Sequence, residues 1–280
     1  MSGTFPLRGD NRLFIAGLQR GVNGVGAGRS WGYRAGITIV IIDVAFGRLD
    51  PAWRSASGRA VAVIDVIRAT TTITMALHHG CAGVIPVRTL SEARAVAQRL
   101  GGGALLAGER RADKAVGFEL GNSPAEYRRE RVEGRVVVLT TTNGTRAFQA
   151  AAGAQAIIAC SFLNVAAAAR WLTGTGLDIL IVCAGTHGRF CLEDAVGSGM
   201  LIDRLLGIST RALELSDAAR ASHQLFTTYR DDLPGMLRDC EWGKEIIRKG
   251  FGVDLEICAQ VDLTDIVPVM QKDCLVAKRP

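Results

Sequence analysis

Val63-Ile-Asp-Val-Ile-Arg-Ala-Thr-Thr-Thr72 is an apolar, β-type run that stops abruptly in a carboxylate, a guanidinium and three hydroxyls, after which an alanine-rich helical pattern begins. Val138-Leu-Thr-Thr-Thr-Asn-Gly-Thr-Arg146 repeats the plan further along. Each reads as a strand handing over to a helix N-terminus. The first turn of a helix carries unpaired backbone N–H groups and a partial positive charge, so threonine and arginine gathered there suit an anion, phosphate above all. The same threonines would also serve as plain N-caps. Their recurrence, with acids nearby, is what favours a binding site.

Working outward from these two stretches, a regular rhythm appears. Around the first, the sequence predicts a strand Ala60 to Ile64, a helix Thr71 to His79 and a strand Gly83 to Val87. A helix Leu90 to Leu100, opened by Thr89 and Glu92 as a capping box, and a strand Ala104 to Ala107 follow. Around the second it predicts strands Val136 to Leu139, Ala156 to Ala159 and Leu177 to Val182, with helices Thr145 to Ala152 and Val165 to Leu172 between them. Asp65 to Val87 spans 22 positions, as does Thr140 to Phe162. The pattern is that of two β-α-β-α-β units, readable as a duplication or as a coincidence of loop lengths. Their continuous Val/Ile/Leu/Ala runs are those of strands buried on both faces, so the expected fold is α/β with a mainly parallel sheet. A strand Ile37 to Asp43 precedes the units. A helical C-terminal part follows them, with Glu193 to Leu206 and Ala212 to Tyr229 as helices and Ile266 to Val269 as a last extended segment returning to a sheet edge.

Residues 1–36 hold nine glycines, five arginines and a single acid, without periodicity. They read as a disordered extension ahead of a folded region 37–280, since so many glycines leave little amphipathic helix for a targeting peptide. The net charge of +6 is spread thinly and forms no basic stripe interleaved with aromatics, which disfavours nucleic acid as a partner. Seven cysteines, an odd number with no CxxC pair, argue against a disulfide framework or a zinc ribbon and fit a reducing cytoplasm. Ala147 to Ala169 carries no charge and is long enough to span a bilayer, but Gln149, Gly153, Gln155, Ser161 and Asn164 divide it, so no membrane association is expected.

In an open parallel α/β sheet, ligands bind beyond the carboxyl ends of the strands. The residues standing there are Asp65 and Arg68, Arg88, Glu109 and Arg110, Thr140 to Arg146, Ser161, and Cys183 to Asp194. Asp65, Glu109, Glu193 and Asp194 supply the hard oxygens that suit Mg²⁺, and Arg68, Arg146 and the threonine hydroxyls suit phosphate oxygens. That donor set points to hydrolysis of a phosphomonoester. Two familiar plans are tested by the letters. An aspartyl nucleophile wants a second Asp two residues after the first, and Ile67 stands there. Cys183 with Arg189 has the Cys-x5-Arg spacing of a cysteine phosphatase, although Thr186 and Phe190 replace its usual Gly and hydroxyl residue, so a Cys183 thiolate stays as the alternative. A non-catalytic phosphometabolite-binding protein is the third reading, disfavoured because four uncompensated carboxylates would repel the ligand.

Five separated motifs then carry a resemblance: Val-Ile-Asp-Val-Ile-Arg-Ala-Thr-Thr (63–71), Leu-Ala-Gly-Glu-Arg (106–110), Gly-Phe-Glu-Leu-Gly-Asn-Ser-Pro (117–124), Thr-Thr-Thr-Asn-Gly-Thr-Arg (140–146) and Cys-Ala-Gly-Thr-His-Gly-Arg-Phe-Cys-Leu-Glu-Asp (183–194). Over about residues 37–275 the sequence resembles the Mg²⁺-dependent 2-phosphosulfolactate phosphatases of the ComB type, with Cys191 where the family usually has Ser and Glu119 where Asp is common. The resemblance implies a three-layer α/β/α fold. It also implies hydrolysis of (R)-2-phospho-3-sulfolactate to 3-sulfolactate, a step linked in some organisms to coenzyme M biosynthesis. Asp65, Glu109, Arg68 and Arg146 are then expected to be catalytic, and Asp65, Glu109, Glu193 and Asp194 to hold Mg²⁺. Thr70, Thr71, Arg110, Asn143, Gly144, Thr145 and Arg189 are expected to bind a small anionic phosphorylated 2-hydroxyacid. Neither the physiological substrate among such acids nor a homo-oligomeric state is fixed by the letters.

Overall fold

The computed structural model describes residues 39–101 and 103–280, so the expected N-terminal extension lies outside the described residues. In chain order the strands and helices are β1 (Ile39–Phe46), β2 (Ala60–Ile64), α1 (Ala69–His78), β3 (Gly83–Pro86), α2 (Leu90–Arg99), β4 (Leu105–Arg110), β5 (Asp113–Lys114), α3 (Arg129–Val132), β6 (Val136–Thr140), α4 (Gly144–Ala150) and β7 (Ala156–Cys160). They continue with α5 (Val165–Thr175), β8 (Ile179–Cys183), α6 (Leu192–Ile208), β9 (Ala212–Leu215), α7 (Asp217–Tyr229), α8 (Leu233–Asp239), α9 (Glu241–Arg248), α10 (Gly252–Cys258), β10 (Val267–Gln271) and β11 (Cys274–Lys278).

All strands join one sheet in the order β5-β4-β6-β3-β11-β10-β7-β2-β8-β1-β9. Alternation along the strands divides the core between two faces. Ala60, Ala62 and Ile64 pack with residues of α5, α6 and α7, whereas Val61 and Val63 pack with Ile73 and Ala76 of α1 and Ala147 and Phe148 of α4. Val138 turns the other way from Val137 and Leu139, to meet Ala93 of α2. Helices therefore cover both faces, which gives the three-layer α/β/α architecture that the continuous apolar runs demand. Within each half the pairs β4–β6, β6–β3, β7–β2 and β2–β8 are parallel, and the antiparallel β10–β11 hairpin is wedged between the halves.

The two β-α-β-α-β units do not sit side by side. β2 of the first lies between β7 and β8 of the second, and β6 of the second lies between β3 and β4 of the first. Exchanging β2 with β6, β3 with β7 and β4 with β8 turns the order β4-β6-β3…β7-β2-β8 into its own reverse. The sheet is thus palindromic about the hairpin.

Two expectations are corrected. Ala212 to Tyr229 is not one helix: Ala212–Leu215 forms edge strand β9 beside β1, and Ser216, whose hydroxyl accepts the Ala219 N–H at 3.2 Å, caps a helix that starts at Asp217. The last extended segment does not lie at a sheet edge: Cys274–Lys278 returns antiparallel to it, and the hairpin they form fills the middle of the sheet between β7 and β3. No helix among the described residues is long and apolar enough to cross a membrane, and Ala147 to Ala169 is divided among α4, β7 and α5.

Candidate active site

The turn after β2 is fixed by its own polar side chains. Asp65 Oδ1 accepts the Ala69 N–H at 3.0 Å; the Thr70 hydroxyl accepts the Asp65 N–H at 3.0 Å and donates to the Asp65 carbonyl at 2.8 Å. The turn after β6 uses the same scheme with one residue fewer. There the Thr141 hydroxyl accepts the Thr145 N–H at 3.1 Å, and the Thr145 hydroxyl donates to the Thr141 carbonyl at 3.1 Å. The two turns abut. A Cβ added at Gly144 would lie 2.5 Å from the Ala69 Cβ and 2.6 Å from Asp65 Oδ2, so only glycine lets them approach this closely.

Glu109, at the end of β4, ties the halves together. Its Oε1 accepts the Thr142 N–H at 2.7 Å and its Oε2 the Ala112 N–H at 2.8 Å. Asp194, in the first turn of α6, accepts the Val66 N–H at 2.9 Å and the Gly185 N–H at 3.0 Å. At Asp194 the backbone donors favour the ionised carboxylate, but burial and the charge of Glu193 oppose it. Burial, then the charges of Asp194 and Glu109, push Asp65 from the ordinary 3.8 up to about 8. Burial and Glu193 push Asp194 up to about 7, and burial with the charge of Asp65 raises Glu193. The four acids expected to act together are therefore close enough to feel one another.

A cavity of about 380 Å³ opens over this cluster, lined among others by Asp65, Arg68, Glu109, Thr142 and Asn143. Glu193 lies in the wall of an adjoining cleft together with Arg189, and Asp194 stays beneath, committed to the two backbone amides. Among the described residues no group of three or more His, Cys, Asp or Glu side chains closes on a single point as a complete metal cage. The donor set still fits Mg²⁺, which is held by one or two carboxylates while waters and phosphate oxygens fill its other positions.

Several expected ligands are placed elsewhere. Thr70, Thr71 and Thr145 are fully buried, and their hydroxyls are spent on the Asp65, Val66 and Thr141 carbonyls. Gly144 is a packing contact rather than part of the wall. Arg110 folds back onto the Glu109 carbonyl at 2.6 Å and the Thr140 hydroxyl at 3.0 Å. Arg146 is exposed on α4, outside the cavity. Arg68 does line the cavity, but it is 2% exposed. Its Nη1 donates to Asp254 at 2.6 Å, its Nη2 donates to the Ala112 carbonyl at 3.0 Å, and the guanidinium stacks on Phe251.

Cys183 is 1% exposed, shares a hydrogen bond with the Ser198 hydroxyl at 3.1 Å, and lines neither cavity. Burial and then the charge of Asp194 raise its thiol well above the ordinary range, the opposite of what a thiolate nucleophile needs.

His187, within the strand-end stretch Cys183 to Asp194, also lines the wall, as does Arg111 at the tip of the β4–β5 hairpin. Glu241, Trp242 and Glu245, on one face of α9, come from a place that strand ends do not reveal. The i, i+4 spacing of the two glutamates is the one signal α9 offered, and nothing in the sequence links that helix to the strands. Asn122 belongs to the Gly-Asn-Ser-Pro loop. It is 6% exposed, and its Oδ1 has no hydrogen-bond partner among the described residues.

Comparison with known proteins follows the same residues. A family model described as 2-phosphosulpholactate phosphatase matches residues 51–273. A protein of Thermotoga petrophila named probable 2-phosphosulfolactate phosphatase is 42% identical over 220 residues, covering 79% of this chain and 92% of its own. Proteins with the same name from Symbiobacterium thermophilum (41% identical over 221 residues; 79% of this chain, 94% of its own) and Clostridium acetobutylicum (36% over 227 residues; 81% and 96%) are similar throughout the same region.

Proposed function

The chain belongs to the 2-phosphosulfolactate phosphatase family, and from that premise we propose that it is a Mg²⁺-dependent phosphomonoesterase that converts (R)-2-phospho-3-sulfolactate and water to 3-sulfolactate and inorganic phosphate. The observation that carries the metal dependence is the charge of the cavity. Glu109, Glu241 and Glu245 line it against Arg68 and Arg111, Arg68 is already neutralised by Asp254, and Asp65 adds a further negative charge once its proton is displaced. A multiply anionic ester entering such a space is repelled unless a cation accompanies it.

Asp65 and Glu109 are the residues that would hold Mg²⁺, with Glu193 and Asp194 completing the negative field around them. When bound, the ion would neutralise phosphoryl oxygens and lower the barrier to attack at phosphorus. Thr142 and Asn143 would orient the phosphate from the second repeat's turn. Asp194 keeps the β2 turn and the loop after β8 in register through its two backbone contacts. Trp242 and the α9 face narrow the space available to bulk water. All seven cysteines are free, which supports a reducing, cytoplasmic setting for this activity.

The test is phosphate release from synthetic (R)-2-phospho-3-sulfolactate after chelation and after graded return of Mg²⁺. Activity should vanish with chelator and return hyperbolically with the metal. Full turnover in excess chelator would overturn the metal dependence, and no turnover under any condition would overturn the substrate.

A further inference from the structure

Among the arginines near the cluster, Arg111 alone lines the cavity without an ion pair or hydrogen bond to another described residue. Arg68 is held by Asp254, Arg110 by backbone carbonyls and the Thr140 hydroxyl, and Arg189 lies in the adjoining cleft. Arg111 is also held in an uncommon way. It forms a two-residue hairpin loop with Ala112 between β4 and β5, and both have positive φ, 55° and 71°. Such a turn normally takes Asn or Gly. Here the site itself clamps it: the Ala112 N–H is held by Glu109 and the Ala112 carbonyl by Arg68. The corresponding turn of the second repeat, His187-Gly188 at φ 54° and 81°, stands 76 positions later, the same offset as from Asp65 to Thr141. It brings His187 to the same cavity.

We propose that Arg111 binds the sulfonate of the substrate and so determines the preference for a 2-phospho acid that carries a second strong anion at C3, an inference that rests on the phosphatase reading above. The ester phosphate is drawn to the buried carboxylates and their cation, and the C1 carboxylate is attached to the same carbon as the ester oxygen. The C3 sulfonate projects away from that carbon. Asp65 and Glu109 are 8% and 5% exposed at the cavity floor, whereas Arg111 is exposed at its rim, where a projecting arm would arrive. A guanidinium offers two parallel donors to two sulfonate oxygens, and the contact is charge-assisted.

The experiment compares the wild type, Arg111→Gln and Arg111→Gly on 2-phospho-3-sulfolactate and on 2-phospholactate, which lacks only the sulfonate. Both variants should lose about 10- to 100-fold in kcat/KM on the first substrate, mainly through KM, the range expected for one charge-assisted contact. On 2-phospholactate they should stay within about threefold of wild type. Arg111→Gly suits a positive φ, so its thermal stability should match or exceed that of wild type. A merely structural role for Arg111 would leave its kinetics intact. Equal losses on both substrates, or no loss on either, would overturn the assignment. Calorimetric binding of 3-sulfolactate separates this outcome from failure of the phosphatase reading: binding by wild type and not by Arg111→Gln upholds the sulfonate contact even if no ester is hydrolysed.

Discussion

Asp65→Asn isolates the electrostatic tension at the centre of the site. The substitution keeps Oδ1, and with it the cap on the Ala69 N–H, while it removes a charge that burial, Asp194 and Glu109 all oppose. The sign follows from linkage. With a folded-state value of about 8 against an ordinary 3.8, Asp65 holds its proton in the folded chain over a range where the unfolded chain has lost it. Stability of the metal-free protein therefore falls as pH rises from about 4 to about 8. Each unit is worth about 1.4 kcal/mol, so the full shift sets an upper bound on the order of 5 kcal/mol. Asp65 and Asp194 titrate together, which leaves about 2–3 kcal/mol for removal of one charge. For a domain of this size that is about 5–10 °C in Tm. Calorimetric melting in chelator should show Asp65→Asn above wild type by this margin at pH 8, with the gap shrinking several-fold at pH 5. Millimolar Mg²⁺ should raise the wild type and not the variant, and phosphate release by the variant should fall at least 100-fold. Identical pH profiles for the two metal-free proteins would refute the electrostatic account.

Three further outcomes test the rest of the site. Cys183→Ala should keep kcat/KM within about threefold of wild type, and thiol alkylation should not inactivate the native enzyme; loss of turnover on either treatment would reinstate the cysteine. Gly144→Ala should cost about 1–3 kcal/mol by forcing the two turns apart and lower activity more than 10-fold, measured by denaturant unfolding and phosphate release, because its new methyl meets Ala69 and Asp65. Asp254→Ala should lower stability by about 3–5 kcal/mol in the same unfolding assay, since it leaves the Arg68 guanidinium buried without its partner; Arg68→Met with Asp254→Leu should recover much of that loss.

The parallel strands are largely legible because most are unbroken apolar runs closed by a polar turn, Ala60–Ile64 being the plainest case; the central hairpin arm Cys274–Lys278, ending in lysine and short of such a run, is not. The edge strand Ala212–Leu215 was not, because its half-buried alternation of Leu213 and Leu215 runs directly into an amphipathic helix. Asp65, Glu109 and Asn143 could be nominated from strand ends alone, and the cavity includes all three. Thr70, Thr71 and Thr145 look like ligands in the sequence because hydroxyls at helix starts serve caps and anions equally well, and only the folded turn shows which carbonyl each one satisfies. Arg111 and the α9 glutamates escaped notice for a different reason. Arg111 stands one residue past the nominated Arg110, in a tight turn that the letters Arg-Ala do not announce, and α9 begins 58 residues beyond the end of β8 with no pattern that ties it to the sheet.

The palindromic sheet has a consequence for how this enzyme could be divided. Because β2 and β6 each lie inside the other repeat, a chain cut between residues 114 and 129 would give two interleaved pieces: one keeps the β4–β5 pair but leaves β3, β2 and β1 without neighbours, and the other keeps β7-β10-β11 but leaves β6, β8 and β9 without theirs. Such pieces should be insoluble apart and should regain shape only by threading into one another. Reconstitution from co-expressed fragments, with neither fragment folding when made alone, is the behaviour expected of a molecule whose halves are interlocked rather than adjacent.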